Sequence, residues 1–399
     1  MSDALATPSR DVVIIGAGLV GLALAVALAR AGMSVAIADR AELAATESAT
    51  EDNDDWDQRV YAISPGSAAF LHGIGAWQRL PCERTTAIEA MQIRGDGEGE
   101  LAFSAYELGE RALAWIVENR ALHAALVEAV RTELGIEVVA PCQPSALVWH
   151  PDAAELKLGD GRSLSARLVI GADGVRSWTR EQAGIRTMPR PYEQTAVVAN
   201  FATELAHRGR AFQWFLDRRG VLAWLPLPGR RVSMVWSAPV ALAAELAALE
   251  PDTLAWSVAA AGGNALGALT QITAPASYPL SFLKLTSPVG DRLVLVGDAA
   301  HGVHPLAGQG VNLGFGDAAA LASALAVHRI VGDAGAPLLL TRYARRRAEA
   351  VLAMQLTTDG LVRLFVSPRP WVKTLRNRGM SAVGGRPLLR RLLAQPALR

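Results

Sequence analysis

At 399 residues, 51% hydrophobic and 19% charged, the chain is long enough for two domains and a large core, either freely soluble or resting on a membrane. With only Cys82 and Cys142 and no secretory signal, the composition points to reduced thiols in a cytoplasmic setting and excludes a disulfide framework or a cysteine metal cluster. The net charge of +1 hides an asymmetry: Leu340 to Arg399 carries 13 Arg and Lys against Glu349 and Asp359, which leaves −10 on the rest.

In chain order, the apolar run Val12 to Ala29 could pass for a membrane span or signal peptide. Only Arg10 is basic in the residues before it, and three glycines interrupt it early. A strand, turn and helix accounts for it better: Asp11 to Ile15, then Gly16-Ala17-Gly18-Leu19-Val20-Gly21, then Leu22 to Arg30. Ser34 to Ala38 is the next strand, closed by Asp39 and Arg40 about twenty residues past the glycines. Two glycines permit a tight turn and close pyrophosphate approach, the third lets helix pack on strand, and Asp39 can hold ribose hydroxyls. This is a dinucleotide-binding fingerprint, equally suited to NAD and FAD.

Glu42 to Asp57 is acidic, aperiodic and reads as a mobile loop. Arg59 comes just after it, and can pair with a phosphate or with that loop. Pro65 to Leu71 and Ala76 to Leu80 read as short helices, Arg94-Gly95-Asp96-Gly97-Glu98-Gly99 as a hairpin turn, and Asn119 to Leu134 as an amphipathic helix. Strands at Ile136 to Ala140, Ala146 to Trp149, Glu155 to Leu158 and Arg167 to Ile170 lead to Asp173-Gly174-Val175-Arg176. That second acid at a strand end is either a crevice-edge cluster or a β-turn with a surface ion pair. From Thr195 to Pro239 apolar alternation, rich in aromatics, predicts an antiparallel sheet with one covered face. Ala241 to Leu269 reads as helical and Ala274 to Lys284 as a returning strand.

Arg292 to Gly297 is a short Val/Leu run of the kind buried on both faces of a parallel sheet, and Asp298 stands at its end. In open α/β sheets the carboxyl ends of the strands face the ligand crevice. His301 to Gly310 is a loop whose Gly308-Gln309-Gly310 lets backbone N–H groups approach a flat ligand. From Val311 the pattern is helical, so a helix N-terminus, a site for negative charge, points back into the loop. The tail from Leu340 is mostly helix, broken by Pro368, Pro370 and Pro387. Its charge suits a solvated face, an anionic-lipid contact or a docking surface. Nucleic acid is not expected, because Leu361, Leu364, Phe365 and Trp371 recur at helical spacing and form no stacking platform.

Four segments in order, the N-terminal fingerprint, Arg59, the Asp173-Gly174 turn and the Gly297-Asp298 loop, together resemble the single-component FAD-dependent aromatic hydroxylases of the para-hydroxybenzoate hydroxylase fold. Gly297-Asp298-Ala299-Ala300-His301 through Pro305, Gly308-Gln309-Gly310 and Asn312-Leu313-Gly314 is similar to the ubiquinone-biosynthesis hydroxylase branch. Asp57-Gln58-Arg59 to Ser64, and Tyr343, Arg346 and Arg376-Asn377 in the tail, support that branch. Asp39 stands where Glu is commoner in the family, and the acidic loop before Arg59 is long.

The resemblance implies an α/β fold: a Rossmann-type FAD-binding domain (1–80, 119–184 and 285–340), an inserted antiparallel-sheet substrate domain (81–118 and 185–284) and a helical C-terminal region (341–399). It implies that Gly16, Gly18, Gly21, Asp39 and Arg40 hold the AMP half of FAD, that Arg59 reaches the pyrophosphate or ribityl region, and that Asp298 binds ribityl hydroxyls. The backbone of Gly308, Gly310, Val311 and Asn312 would cradle the ring, with Pro305, Gly308 and Gln309 as its positioning loop. Asp173 and Arg176 would serve FAD and a transient NADPH or NADH. The implied reaction is reduction of FAD by the nicotinamide, addition of dioxygen to give a flavin hydroperoxide, and hydroxylation of a polyprenylated phenol, with water excluded. Such chemistry requires no base at His301 or His304, and no third metal ligand accompanies them. Peripheral contact with the inner membrane and a complex with other ubiquinone-biosynthesis proteins are implied partners. Rival readings are a flavin halogenase, whose Trp-x-Trp-x-Ile-Pro pattern is only echoed at Trp224 to Pro228, another FAD-dependent reductase, and an FAD-binding accessory subunit.

Overall fold

The computed structural model describes residues 9–44, 55–304, 306, 308–328, 332–367, 369–386 and 390–391. Most of the expected acidic loop, together with Pro305, Pro368 and Pro387, lies outside them. The first sheet runs in the order Val289–Gly290, Leu293–Leu295, Ser163–Gly171, Arg10–Ile15, Val35–Ala38, Ile136–Val139. Every pairing from Leu293–Leu295 onward is parallel. Pro144–Trp149 and Ala154–Leu158 add to its Ser163–Gly171 strand in antiparallel fashion.

The central strands are apolar without alternation because both faces are covered: Val12 to Ile14, Leu168 to Ile170 and Leu293 to Leu295 are all fully buried. On one face lies the helix Leu19–Arg30, whose Leu22, Leu24, Val26 and Leu28 are inaccessible to solvent. It packs between the sheet and the helix Gly310–His328, through Phe315, Ala318, Leu321 and Leu325. Gly310–Val327 is the one helix, among the described residues, long and apolar enough to cross a membrane. Its buried Leu313, Phe315, Leu321 and Leu325 make it a core helix.

The second sheet has the order Leu269–Gln271, Thr187–Thr203, Arg231–Pro239, Val221–Leu227, Arg210–Phe215, Ala90–Arg94, Glu100–Ser104, with Ala276–Leu285 also on Thr187–Thr203. It is antiparallel except where Arg210–Phe215 meets Ala90–Arg94. Helices Val240–Ala247 and Pro251–Ala261 cover one face, burying Phe201, Trp224 and Trp236 completely. The aromatics are therefore core. The helical expectation for Ala241 to Leu269 is corrected: Pro251 restarts the helix, Gly262 and Gly263 end it, and Leu269–Gln271 is a strand. The 81–118 interval divides between two sheets. Thr86–Ile88 and Ala114–Glu118 join Val60–Ile63 in a three-stranded sheet, whereas Ala90–Ser104 extends the large one.

The C-terminal helices Pro337–Val366 and Pro370–Gly384 clamp both units. Arg376 forms an ion pair with Asp96 at the tip of the Arg94–Gly99 hairpin, with both side chains 1% exposed. Its Nη1 also donates to the Leu364 and Ser367 carbonyls at 2.6 and 3.1 Å. Gly95, Gly97 and Gly99 let the hairpin close on Asn377, whose atoms would lie 2.3 to 3.1 Å from an added Cβ. Removing one partner of a buried pair strands the other charge, so Arg376→Met is expected to lower unfolding free energy by about 3–5 kcal/mol. Urea unfolding checks this, and a change under about 1 kcal/mol would contradict it.

Candidate functional site

In the parallel sheet Ile15 is in register with Gly171, and Gly171 with Leu295. Three turns therefore leave three adjacent strands at the same level: Gly16 to Gly21, Asp173 to Ser177, and Gly297 to Ala299. Neighbouring strands lie ~5 Å apart, so residues far apart in sequence share one crevice edge. Direct contacts bind the turns together. A Cβ on Gly16, whose φ is +110°, would meet the Ala172 carbonyl oxygen at 2.5 Å, and one on Gly314 would meet Val20 at 2.6 Å.

The glycines divide their tasks. Gly21 sits against the Gly16 carbonyl, where a Cβ would come within 2.1 Å, so helix and strand can touch only there. Gly18 is the N-cap of Leu19–Arg30, makes no side-chain cap, and among the described residues has nothing within 4 Å of where its Cβ would be. Helix-start N–H groups beside open space form an anion site. Asp39 accepts from the Ala17 N–H at 2.6 Å and from the Ala41 N–H at 2.8 Å, which leaves carboxylate lone pairs for a ligand. Arg40 is exposed beside it.

Asp298 lies in a short 3₁₀ turn directly after Leu293–Leu295. Its side chain is accessible and accepts no hydrogen bond among the described residues, yet it sits in a recess. Burial there pushes its pKa above the usual carboxylate value, against the pull of His301 and Arg59. A reachable carboxylate that accepts no hydrogen bond among the described residues fits a ligand that brings hydroxyl donors. Arg59 lies with its guanidinium carbon 5.2 Å from the Tyr61 ring centre and 5.8 Å from that of Tyr278. Burial raises the Tyr61 hydroxyl to about 12, so it stays protonated.

Gly308, at φ +60°, packs against Ala62, and Gly310 opens the helix with only Val303 near its missing side chain, at 3.9 Å. The Asn312 side chain is occupied in structure: Oδ1 accepts from the Ser64 N–H at 3.0 Å and Nδ2 donates to the Ala62 carbonyl at 2.8 Å. Buried Gln309 accepts from the same Nδ2 at 3.3 Å. Val311 is half-buried. These bonds tie the helix start to the Val60–Ile63 strand. Pro305, in the same loop, lies outside the described residues.

Asp173 is committed to its own turn, accepting from the Ser177 hydroxyl and from the N–H and hydroxyl of Thr179. Arg176 is exposed. The basic residue that joins this turn to the next is buried Arg180, which donates to Val175 O at 2.8 Å and Ala299 O at 3.0 Å. Sequence reading passed over it because Thr179-Arg180-Glu181 looks like any surface helix. It also passed over Arg120 and His123. With Asp55, Trp56, Asp57, Gln58 and Asn119 they line a cavity of about 430 Å³, within the size range of ligand sites. His123 Nε2 reaches the Ala17 carbonyl at 3.1 Å, which places this cavity beside the glycine turn.

The two histidines have different environments. His301 Nε2 lies 2.5 Å from Asp317, and although burial opposes the charge, that carboxylate holds its pKa above the ordinary imidazole value. His304 pairs with Gln194 at 2.9 Å, and burial drops it to about 4. No cluster of metal-ligating side chains occurs among the described residues. At about pH 6, where free imidazole is mostly charged, nitrogen-15 histidine spectra of the protein are expected to show His301 as imidazolium and His304 as neutral. A neutral His301 there would contradict this geometry.

The model of the FAD binding domain family matches residues 9–357. Ubiquinone hydroxylase UbiL of Rhodospirillum rubrum is 37% identical over 389 residues, 97% of this chain and 89% of that protein. The 3-demethoxyubiquinol 3-hydroxylase of Escherichia coli is 33% identical over 97% of this chain and 98% of its own. Among solved structures, PqsL of Pseudomonas aeruginosa, described as a probable FAD-dependent monooxygenase, superposes with a TM-score of 0.77 at 25% identity, covering 94% of this chain and 99% of PqsL. The p-nitrophenol 4-monooxygenase PnpA of Pseudomonas putida shares the fold at a TM-score of 0.76 and 19% identity, over 98% of each chain. The glycine turn, the accessible Asp298 and the helix start at Gly310 fit one extended flavin nucleotide, and with the family matched from the first strand into the long C-terminal helix, this chain belongs to the FAD binding domain family and takes FAD as its cofactor.

Proposed function

We propose that this protein is an FAD-dependent, NAD(P)H-consuming monooxygenase that hydroxylates the ring of a polyprenylated phenol in ubiquinone biosynthesis. The observation that carries the reading is the shared level of Gly16 and Asp298 at the strand ends, joined to relatives named as ubiquinone hydroxylases. When bound, reduced FAD supplies the activation of dioxygen and the transfer of one oxygen atom to an electron-rich ring.

The residues of this chain bind, orient and exclude. N–H groups of the Gly16–Gly21 turn hold phosphate, Asp39 and Arg40 take the adenosine ribose, and Arg59 meets the pyrophosphate or ribityl region. Asp298 accepts from ribityl hydroxyls. The N–H groups of Gly310, Val311 and Asn312 face developing negative charge at the ring, as a helix start does. Pro305, Gly308 and Gln309 set the ring's position, and Asp173 and Arg176 edge the path of the nicotinamide. Water is kept out by Leu306, which is buried among Phe215, Val221, Val362 and Phe365. His304, neutral through burial, adds no charge to that wall. The chain divides into an FAD-binding part (1–80, 119–184, 285–340), a substrate part (81–118, 185–284) and a helical C-terminal part (341–399).

A prenylated substrate resides in lipid, and the C-terminal helices present a face for it. Leu352 and Leu356, with Arg363, are exposed along one stripe of Pro337–Val366, and Trp371 and Leu375, with Arg378, along one stripe of Pro370–Gly384. Exposed apolar groups mixed with basic charge suit an anionic bilayer surface, and the same face would serve docking to other ubiquinone-biosynthesis proteins.

Three measurements test this reading. An oxygen electrode should record dioxygen uptake with NAD(P)H that rises on adding a short-chain prenylated phenol; turnover without dioxygen uptake would favour a plain reductase. Asp298→Ala removes bonds to a charged acceptor worth about 1.5–3 kcal/mol, so FAD binding should weaken roughly ten- to hundredfold. Unchanged affinity would remove Asp298 from the site. For the surface, the Trp371→Ser, Leu375→Ser double variant is expected to lose sedimentation with phosphatidylglycerol vesicles while staying folded, and equal binding would refute the lipid contact.

A further inference from the structure

The turn that presents Asp298 is held from behind by a buried chain of charges. Asp317, in the helix Gly310–His328, is 2% exposed. One of its oxygens accepts from the Gly297 N–H at 3.0 Å and lies 2.5 Å from His301 Nε2. The other accepts from Arg347 Nε at 2.7 Å, and Arg347 Nη2 also donates to the Leu313 carbonyl at 3.0 Å. Arg347 belongs to the long helix Pro337–Val366, far in sequence from any cofactor motif. Its guanidinium fits because residue 316 is glycine: a Cβ there would stand 2.9 Å from Nη2.

We propose that Arg347 is a positioning residue for cofactor binding: acting through Asp317, it fixes the Gly297 N–H and His301, and thereby the direction in which Asp298 offers its carboxylate to the flavin's hydroxyls. The inference rests on the reading of Asp298 as the ribityl acceptor. Gly297 has φ +59° and a single N–H to anchor, so the orientation of Asp317 decides where the next residue points. Asp317 lies between two cations, His301 and Arg347, with Tyr343 of the same long helix also facing it. With Arg347 gone, the oxygen it holds loses its charged donor, and His301 and the Gly297 N–H, both on the other oxygen, are left to orient the carboxylate. The far end of the turn is tied separately, by Arg180 to Ala299 O, so loss of Arg347 releases one end only.

The same helix grips the site a second time. Gln355 Nε2 donates to Leu283 O at 2.9 Å, on the strand Ala276–Leu285 that bridges to Gly302. This second grip separates positioning from helix docking in general.

The test is FAD affinity of the full-length apoprotein, read from quenching of flavin fluorescence, beside its thermal unfolding temperature. Gly316→Ala displaces the Arg347 guanidinium while favouring the helix, since alanine outranks glycine in a helix interior. It is expected to weaken FAD binding roughly tenfold, about one charged hydrogen bond's worth, with an unfolding temperature lowered less than in Arg347→Met, because the alanine's helix preference offsets part of the disturbed pair. Arg347→Met should weaken it at least as much, Arg347→Lys should recover part of the loss, and Gln355→Leu should stay within roughly threefold of the parent. The proposal is overturned if Gly316→Ala and Arg347→Met bind FAD like the parent while Asp298→Ala does not. It is overturned equally if Gln355→Leu loses as much as Arg347→Met, because helix docking alone then explains the effect. Normal affinity in Asp298→Ala would instead remove the reading beneath it. Should Arg347→Met not fold, Gly316→Ala decides.

Discussion

The site depends on one constraint: three neighbouring parallel strands end at the same level. Ile15, Gly171 and Leu295 share a row, and each strand leads from that row into a turn at the sheet edge. Parallel strands in a right-handed crossover scheme put their carboxyl ends on one edge of the sheet. A ligand long enough to lie across that edge meets the glycine turn at one end and Asp298 at the other. The apolar burial of the strands and of Leu19–Arg30 keeps that edge rigid, so the separation of the two grips is set by sheet geometry.

Onto this frame the chain places polar groups of two kinds. Asp173, Asn312 and Asp317 have their side chains satisfied by the protein itself, and they shape turns. Asp298 and the uncapped Gly18 helix start are left open. Asp298 is exposed at the crevice edge, where a ligand's hydroxyls can reach its carboxylate. The second sheet and the C-terminal helices supply the apolar cover. Phe215 and Phe365 stack with centroids 3.6 Å apart beside Leu306, which ties the tail to the second sheet.

Much of this was legible in the residues. The glycine turn, Asp39 and Asp298 announce themselves because local chemistry requires them: small residues where backbones touch, an acid where a strand ends. The antiparallel sheet was legible from its alternation, and its aromatics are core, as single aromatics usually are. Other features depend on partners distant in sequence. Arg180 reads as a surface residue until Ala299 O is placed beside it, and Arg347 looks like one of three consecutive tail arginines until Gly316 makes room. The strand at Leu269–Gln271 was hidden in an alanine-rich stretch, because propensity there favours helix and the pairing with Phe201 to Thr203 overrides it. Asp39, read as a holder of ribose hydroxyls, also accepts from the Ala17 N–H of the glycine turn.

Hydrogen exchange of the full-length protein with and without FAD tests the central claim most directly. One flavin spanning the strand ends should slow exchange in two separate segments at once, Gly16 to Leu22 and Gly297 to Leu313, with the same dependence on FAD concentration. Protection of only one of these segments, or of the two at different FAD concentrations, would contradict a single ligand held at both ends.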